Sequence, residues 1–492
     1  EEFARAVQDF RKSGKKVIAY SSSYTQAQYY VAASADEVYV DPLGFVLLDG
    51  YERYRMFYKN ALDKLGVDMN VFRVGTYKSA VESFTRNDMS QEDREESLAY
   101  LGALWSNYRR AVTAARGLKP EAIDRYITDI AQTVTAAHGD TAQVALDAGL
   151  VTGIKTDLDV EDRLIDLVGL DEDNDTYNAV SLDDYVRVVR AAEKLHGGAK
   201  IGVIVASGEI LDGRQPSGTI GGDSTAELIR QARLDDAVKA VVLRVDSPGG
   251  SVLASEQIYR ELKALRDDGK PLIVSMGDVA ASGGYYISAP ADEIWASPST
   301  ITGSIGIFAA IPNFSRTLAK LGIGVDGVGT TPLSGQLRLD RPLGPEARTL
   351  LQAAIDHGYE TFLARVSDGR RKTRDQIDAI AQGRVWAGDA AQRIGLVDQL
   401  GTFDDAVKAA AARARLGKAY QLEYIEPELS WLQELSLQIE SSFAHLLAIS
   451  DRHGLALAQV AKHLDPLARE LERWSRFDSP GHLYAYCFCT ID

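Results

Sequence analysis

One pattern occurs twice in this chain, and that repetition constrains the fold more than any other feature. "GKKVIAY" (14–20) is echoed by "GKPLIVS" (269–275), and "YYVAASADEVYVDP" (29–42) by "YYISAPADEIWASP" (285–298). Further on, "LDKLGV" (62–67) is answered by "LAKLGI" (318–323), and "AGLV" (148–151) by "IGLV" (394–397). Matches that keep their order along both stretches mark a duplicated structural unit. The second copy has a beginning that the first lacks. "AKIGVIVASGEI" (199–210) and "AVKAVVLRVDSPGGS" (237–251) are β-branched apolar runs ended by glycine, with a helical "STAELIRQARL" (224–234) between them. Strand, helix and strand in alternation predict parallel βαβ units, hence an α/β fold.

At 492 residues the chain is too long for one core. The expected division is an N-terminal repeat over 1–168, a linker over 169–198, a C-terminal repeat over 199–415 and a helical C-terminal extension over 416–492. The linker includes the polar, acidic "GLDEDNDTYN" (169–178), which lacks the glycine and terminal glutamate of a calcium loop. The extension includes the amphipathic "WLQELSLQIESSFAHLLAI" (431–449), whose want of lysine and arginine favours a packing helix over a membrane-surface one. The first copy opens at Glu1 inside an amphipathic helical pattern, so an upstream segment with any targeting signal or anchor is expected to be missing.

Net charge is −16, which excludes phosphate-backbone binding as a main role, since that needs a basic face. Apolar or cationic peptides remain compatible ligands. No run approaches the ~18–20 apolar residues of a membrane span. The only cysteines, Cys487 and Cys489, offer neither a disulfide framework nor a metal-ligand quartet, and no cofactor motif stands out. "GIGVDG" (322–327) fits a dinucleotide-binding spacing but follows a helical stretch, so it reads as a turn.

Chemistry is suggested by "MGDVAASGGYYIS" (276–288). Ser282 sits among alanines and glycines where a strand runs into a buried helix. Its ordinary use there is as a helix N-cap. The alternative is a nucleophile, with the Gly283 amide and a glycine of "DSPGGS" (246–251), Gly250 the candidate, donating to an oxyanion. A serine nucleophile needs a base. Most of the seven histidines fall in linker-like or helical surface contexts and no GxSxG elbow occurs, so a Ser-His-Asp arrangement is unsupported. The repeat supplies another candidate. Aligning the VGT triplets of "FRVGTYKSAVE" (72–82) and "GVGTTPLSG" (327–335) puts Lys78 opposite Pro332, and aligning the tyrosine pairs puts Ser282 opposite Gln26. Each copy keeps what the other lost, as a single site divided between two duplicated domains would require. A buried lysine can serve as base once its pKa falls toward neutrality. Ser304 in "TGSIG" (302–306) is placed to orient it.

These motifs, with "PSTITGSIGIF" and the tail "YAYCFC", resemble the long tandem-repeat form of the bacterial signal peptide peptidase A family, serine/lysine proteases, over nearly the whole chain. The resemblance implies two tandem domains of Clp protease/crotonase-like fold. It also implies Ser282 as nucleophile, Lys78 as general base, Ser304 holding the lysine, and Gly283 with a glycine of "SPGG" as oxyanion hole. A homo-oligomer, expected to be a tetramer, would be held at the bacterial inner membrane by an N-terminal anchor. Its catalytic domain would face the periplasm and digest signal peptides after their release. Two other readings stand beside this one. A crotonase-type acyl-CoA enzyme would need a positioned carboxylate and no serine nucleophile, and a non-catalytic scaffold would need neither Lys78 nor Ser282. Whether Lys78 and Ser282 meet within one chain or across subunits is not legible.

Overall fold

The computed structural model describes residues 1–174, 176–193, 199–331, 333–417, 420–426 and 483–489. The apolar runs become the interior of the main sheet. Ala199–Ser207, Val238–Ser247 and Leu272–Ala281 lie side by side and parallel, with Val241 facing Gly202 on one side and Leu272 on the other. Both faces of these strands are buried, which is why they read as continuous hydrophobic runs. Leu243 and Val274 share a core with Ile258, Leu262 and Phe362 from covering helices. The alternate residues Ala240, Val242 and Ile273 meet Ala406, Val407 and Ala410 on the opposite face. Tyr420–Tyr424 adds a parallel edge strand to Ala199–Ser207, and Ile301–Gly303 continues the other side.

The N-terminal half has a smaller three-stranded parallel sheet, in the order Ile18–Ser21, Glu37–Val40, Gly153–Ile154. The same order recurs in the second half as Leu272–Ala281, Glu293–Ala296, Gln399–Leu400. Local bonds recur too. The Val17 and Leu272 amides donate to Asp36 and Asp292, both at 2.9 Å. The Tyr29 and Tyr285 hydroxyls donate to the carbonyls of Leu150 and Leu396 at 2.6 and 2.8 Å. Each half also carries a 26-residue helix, Gln91–Arg116 and Pro345–Arg370.

A second sheet ties the halves together. Its order is Asp68–Val74, Ile307–Asn313, Tyr484–Tyr486, Gly249–Ser251, Ile210–Leu211, Ile220–Gly221. The first strand comes from the N-terminal half, and it pairs antiparallel with Ile307–Asn313 along its whole length, from Val74 opposite Ile307 to Asp68 opposite Asn313.

The expected linker contains a short hairpin, Leu170–Asp171 with Thr176–Tyr177, and a helix over Leu182–Glu193. The described ends of the expected helical extension are strands: Tyr420–Tyr424 covers the open edge of Ala199–Ser207, and Tyr484–Tyr486 fills the place between Ile307–Asn313 and Gly249–Ser251, so that the backbone there is paired. The stretch 431–449 lies outside the described residues. Among them, no helix is long and apolar enough to cross a membrane. "GIGVDG" follows the helix Ser315–Lys320, as a turn should.

Candidate active site

The strand Leu272–Ala281 ends at Ser282, and the helix Gly283–Ser288 begins directly after it. Ser282 occupies the N-cap position but makes no side-chain capping bond, and its backbone lies at φ 55°, ψ −114°. A non-glycine residue rarely adopts that conformation, and it persists only where the surroundings enforce it. Here the Ser282 amide donates to the Gly303 carbonyl at 2.8 Å. The hydroxyl is thus turned away from the helix it precedes.

It is turned toward Lys78. The Lys78 Nζ lies 2.8 Å from Ser282 Oγ, 3.0 Å from Ser304 Oγ and 3.1 Å from the Ser304 carbonyl oxygen. Nucleophile and base candidates 204 positions apart therefore meet within one chain, which answers the question the sequence leaves open. The join is made by the antiparallel ladder, since Asp68–Val74 leads into the lysine loop and Ile307–Asn313 leads out of the Ser304 turn. Ser304 has a positive φ of 51°, which holds its hydroxyl and carbonyl on the same amine.

Lys78 is 2 % exposed. Burial pushes its pKa down to about 7, with the nearby Glu96 carboxyl pulling the other way. Burial in turn pushes Glu96 up to about 8, opposed by the Arg53 guanidinium. Glu96 accepts from the Val385 amide at 3.2 Å through Oε1, and among the described residues its Oε2 has no partner. The sequence reading did not single out Glu96. It lies in the second turn of the long helix Gln91–Arg116 with no motif around it.

The lysine loop is gripped from behind. The Tyr77 amide donates to the Gln382 carbonyl at 2.9 Å, and the Ser304 amide to the Arg384 carbonyl at 2.7 Å, so residues 382–384 bridge the two loops. Arg384 stacks between the rings of Tyr77 and Trp386, at 4.9 and 4.5 Å. Gly383 has φ +78°, and a methyl built on it would fall 2.7 Å from both Lys78 N and Lys78 Cβ. Beneath the loop, Arg55 donates to the Ser79 carbonyl at 3.1 Å and pairs with Glu82 and Asp93, while Arg53 pairs with Asp93 at 2.7 Å. Sequence reasoning missed this support, because its members converge only through tertiary contacts.

The glycines meet on the other side of Ser282. Gly249 donates its amide to Ser247 Oγ at 3.1 Å, whereas Gly250 lies in register with Ala485 of the tail strand. A methyl on Gly249 would fall 2.6 Å from Gly283 N, and one on Gly283 would fall 3.0 Å from Gly249 Cα. The two glycine-rich loops can approach this closely only without side chains. Cys487 and Cys489, just beyond, are joined by a disulfide.

Residues 9–171 and 264–417 match Peptidase family S49. "Protease 4" of Salmonella typhi is 44% identical over 483 residues, covering 98% of this chain and 77% of that protein. "Serine protease SPPA, chloroplastic" of Arabidopsis thaliana is 32% identical over 422 residues, covering 85% of this chain and 61% of that one. Among solved structures, a ClpP1 mutant from Listeria monocytogenes aligns with 42% of this chain and 94% of its own, at 16% identity and a TM-score of 0.28. Matched over more than half of its length by Peptidase family S49 and 44% identical to "Protease 4", the chain belongs to that family and is a serine protease.

Proposed function

We propose that the protein cleaves peptides through an acyl-enzyme, with Lys78 and Ser282 as a catalytic dyad. One observation carries the reading: a fully buried amine with a pKa near neutrality stands 2.8 Å from a serine hydroxyl. The neutral amine takes the hydroxyl proton as Oγ attacks the scissile carbonyl. The Gly283 and Gly250 amides receive the oxyanion. Collapse expels the leaving amine, which takes the proton back from the lysine ammonium. Water, deprotonated by the same amine, then releases the acyl group. Ser304 is the orienting residue, because two of its oxygens fix the amine.

The substrates are extended apolar peptides, foremost signal peptides already released from their precursors. The resemblance of the motifs to signal peptide peptidase A supports this, as do the glycine-rich loops that close on one another beside Ser282. The same resemblance supports a homotetramer anchored at the bacterial inner membrane with its catalytic domain in the periplasm. The Cys487–Cys489 disulfide suits an oxidising compartment. Leu321, Ile323, Val328, Leu337 and Leu339 are exposed in a single subunit, which favours a covered face in an oligomer. Light scattering on the purified protein tests the subunit number.

Hydrolysis of a fluorogenic apolar peptide tests the dyad, with Ser282→Ala as the zero. Lys78→Met is expected to fall to that level. Retention of most activity by Lys78→Met would place the base elsewhere.

A further inference from the structure

The strand Tyr484–Tyr486 lies between Gly249–Ser251 and Ile307–Asn313, against the glycines beside Ser282. Two bonds fix its ladder with the glycine strand. The Cys487 amide donates to the Pro248 carbonyl at 2.8 Å, and the Val252 amide donates to the Leu483 carbonyl at 3.2 Å. Hydrogen-bonded pairs alternate along an antiparallel ladder, so Gly250 and Ala485, paired in register midway, form the hydrogen-bonded pair between them. The Ala485 carbonyl therefore faces the Gly250 amide. A methyl built on Gly249 would fall 2.1 Å from that carbonyl oxygen, and one on Gly283 3.0 Å from it. Gly249, Gly250 and Gly283 thus surround one carbonyl oxygen next to Ser282, where a scissile carbonyl would place its own.

The rest of the segment is held as a bound peptide would be. Ala485 is fully buried, and Tyr484 and Tyr486 nearly so. Tyr484 packs on Phe308 with ring centroids 6.1 Å apart, and the Tyr486 hydroxyl donates to Glu209 at 3.0 Å. Arg53, from the buried cluster under the lysine loop, donates to the Phe488 carbonyl at 3.2 Å. A strand added to an exposed sheet edge is a general mode of peptide recognition, with backbone bonds for affinity and alternate side chains for selectivity.

We propose that Leu483–Cys489 occupies the peptide groove as a substrate-like strand and competes with incoming peptides, with Ala485 in the seat of the residue whose carbonyl Ser282 attacks. The proposal rests on the reading of Ser282 and Lys78 as the catalytic pair. Two consequences follow. The groove accepts peptides antiparallel to Gly249–Ser251, and the seat beside Ser282 is sized for alanine. A tethered competitor acts at an effective concentration in the millimolar range, so displacing it lowers the KM for a free peptide by about tenfold or more.

The test uses the full-length chain. Ala485→Arg puts a long charged side chain where no space is exposed and is expected to expel the segment. A second variant replaces residues 483–489 with glycine and serine at unchanged length, and circular dichroism shows that each is folded. Binding is read in a Ser282→Ala background by the anisotropy of a labelled synthetic peptide spanning Leu483–Cys489. The labelled peptide is expected to bind either variant at least tenfold more tightly than the chain with its own segment in place. Equal binding to all three, or binding to none, overturns the proposal. The catalytic reading is tested separately: if the chains with Ser282 hydrolyse nothing while binding divides as expected, the dyad falls and the competitor stands. If the parent chain hydrolyses peptide and neither variant changes KM or binding, the competitor falls and the dyad stands.

Discussion

Val74 faces Ile307 at one end of the antiparallel ladder that joins the two halves, and each leads within a few residues to the reacting centre. Lys78 follows Val74 along one strand's exit, and Ser304 precedes Ile307 along the other's entry. The pairing register therefore sets the distance between the amine and the residue that orients it. A slip of one residue would turn every side chain of the strand to the opposite face.

The pH dependence follows from Lys78. With its pKa lowered to about 7 by burial, the reactive neutral amine is the minority form at pH 6 and the majority form at pH 8. Measured kcat/KM should rise about tenfold per unit below neutrality and level off above about pH 7. The same shift has a stability consequence. The unfolded chain binds a proton on Lys78 up to about pH 10.4, while the folded chain releases it near 7. Burying the amine is thus most unfavourable below the folded pKa, and the penalty disappears as pH rises through that window. Lys78→Met should therefore unfold at a higher denaturant concentration than the parent chain, with an advantage that shrinks from pH 7 to pH 10.

Glu96 tunes that profile. It raises the lysine pKa against the larger effect of burial, but it is itself held largely neutral near pH 7. Glu96→Gln should move the acid limb of kcat/KM to lower pH. A limb that moves upward, or not at all, would show that the carboxyl is not sensed by the amine.

Ser304→Ala removes one of two contacts that orient Lys78 and leaves the carbonyl contact at 3.1 Å. The expected result is a fall in kcat of about 10- to 100-fold with little change in KM, because the side chain acts on the base rather than on the peptide. Threonine at the same position should restore much of the loss, which a merely structural defect would not allow.

Gly383→Ala is predicted to be more damaging than its position suggests. The added methyl would collide with Lys78 N, Cβ and Cα at 2.7–2.8 Å, in a backbone conformation that already disfavours a side chain. Activity should fall by at least about 100-fold, while the thermal midpoint drops only a few degrees. Steady-state kinetics paired with a thermal melt separate the two effects.

The meeting of Lys78 and Ser282 was legible because duplication left a record. Gln26, which stands where the second copy has Ser282, bonds both ways with the Gly50 backbone, so that position serves structure in the first copy. Pro332, opposite Lys78, lies outside the described residues. The central strands were legible because continuous burial writes itself as continuous apolar sequence. Glu96, Gly383 and the tail strand left no such trace. A buried acid in a 26-residue helix looks like any surface glutamate until the helix is placed. The three-residue strand Tyr484–Tyr486 is too short to show a period, and its partners lie hundreds of residues upstream.

The ladder between Asp68–Val74 and Ile307–Asn313 also orders events in time. The lysine leaves the ribosome some 204 residues before the serine, so on the proposed dyad neither is expected to cut anything alone. On that reading a nascent or prematurely terminated chain is harmless to its neighbours. Hydrolytic power would then arise in a single step, when the later half arrives and accepts the waiting strand as its own edge.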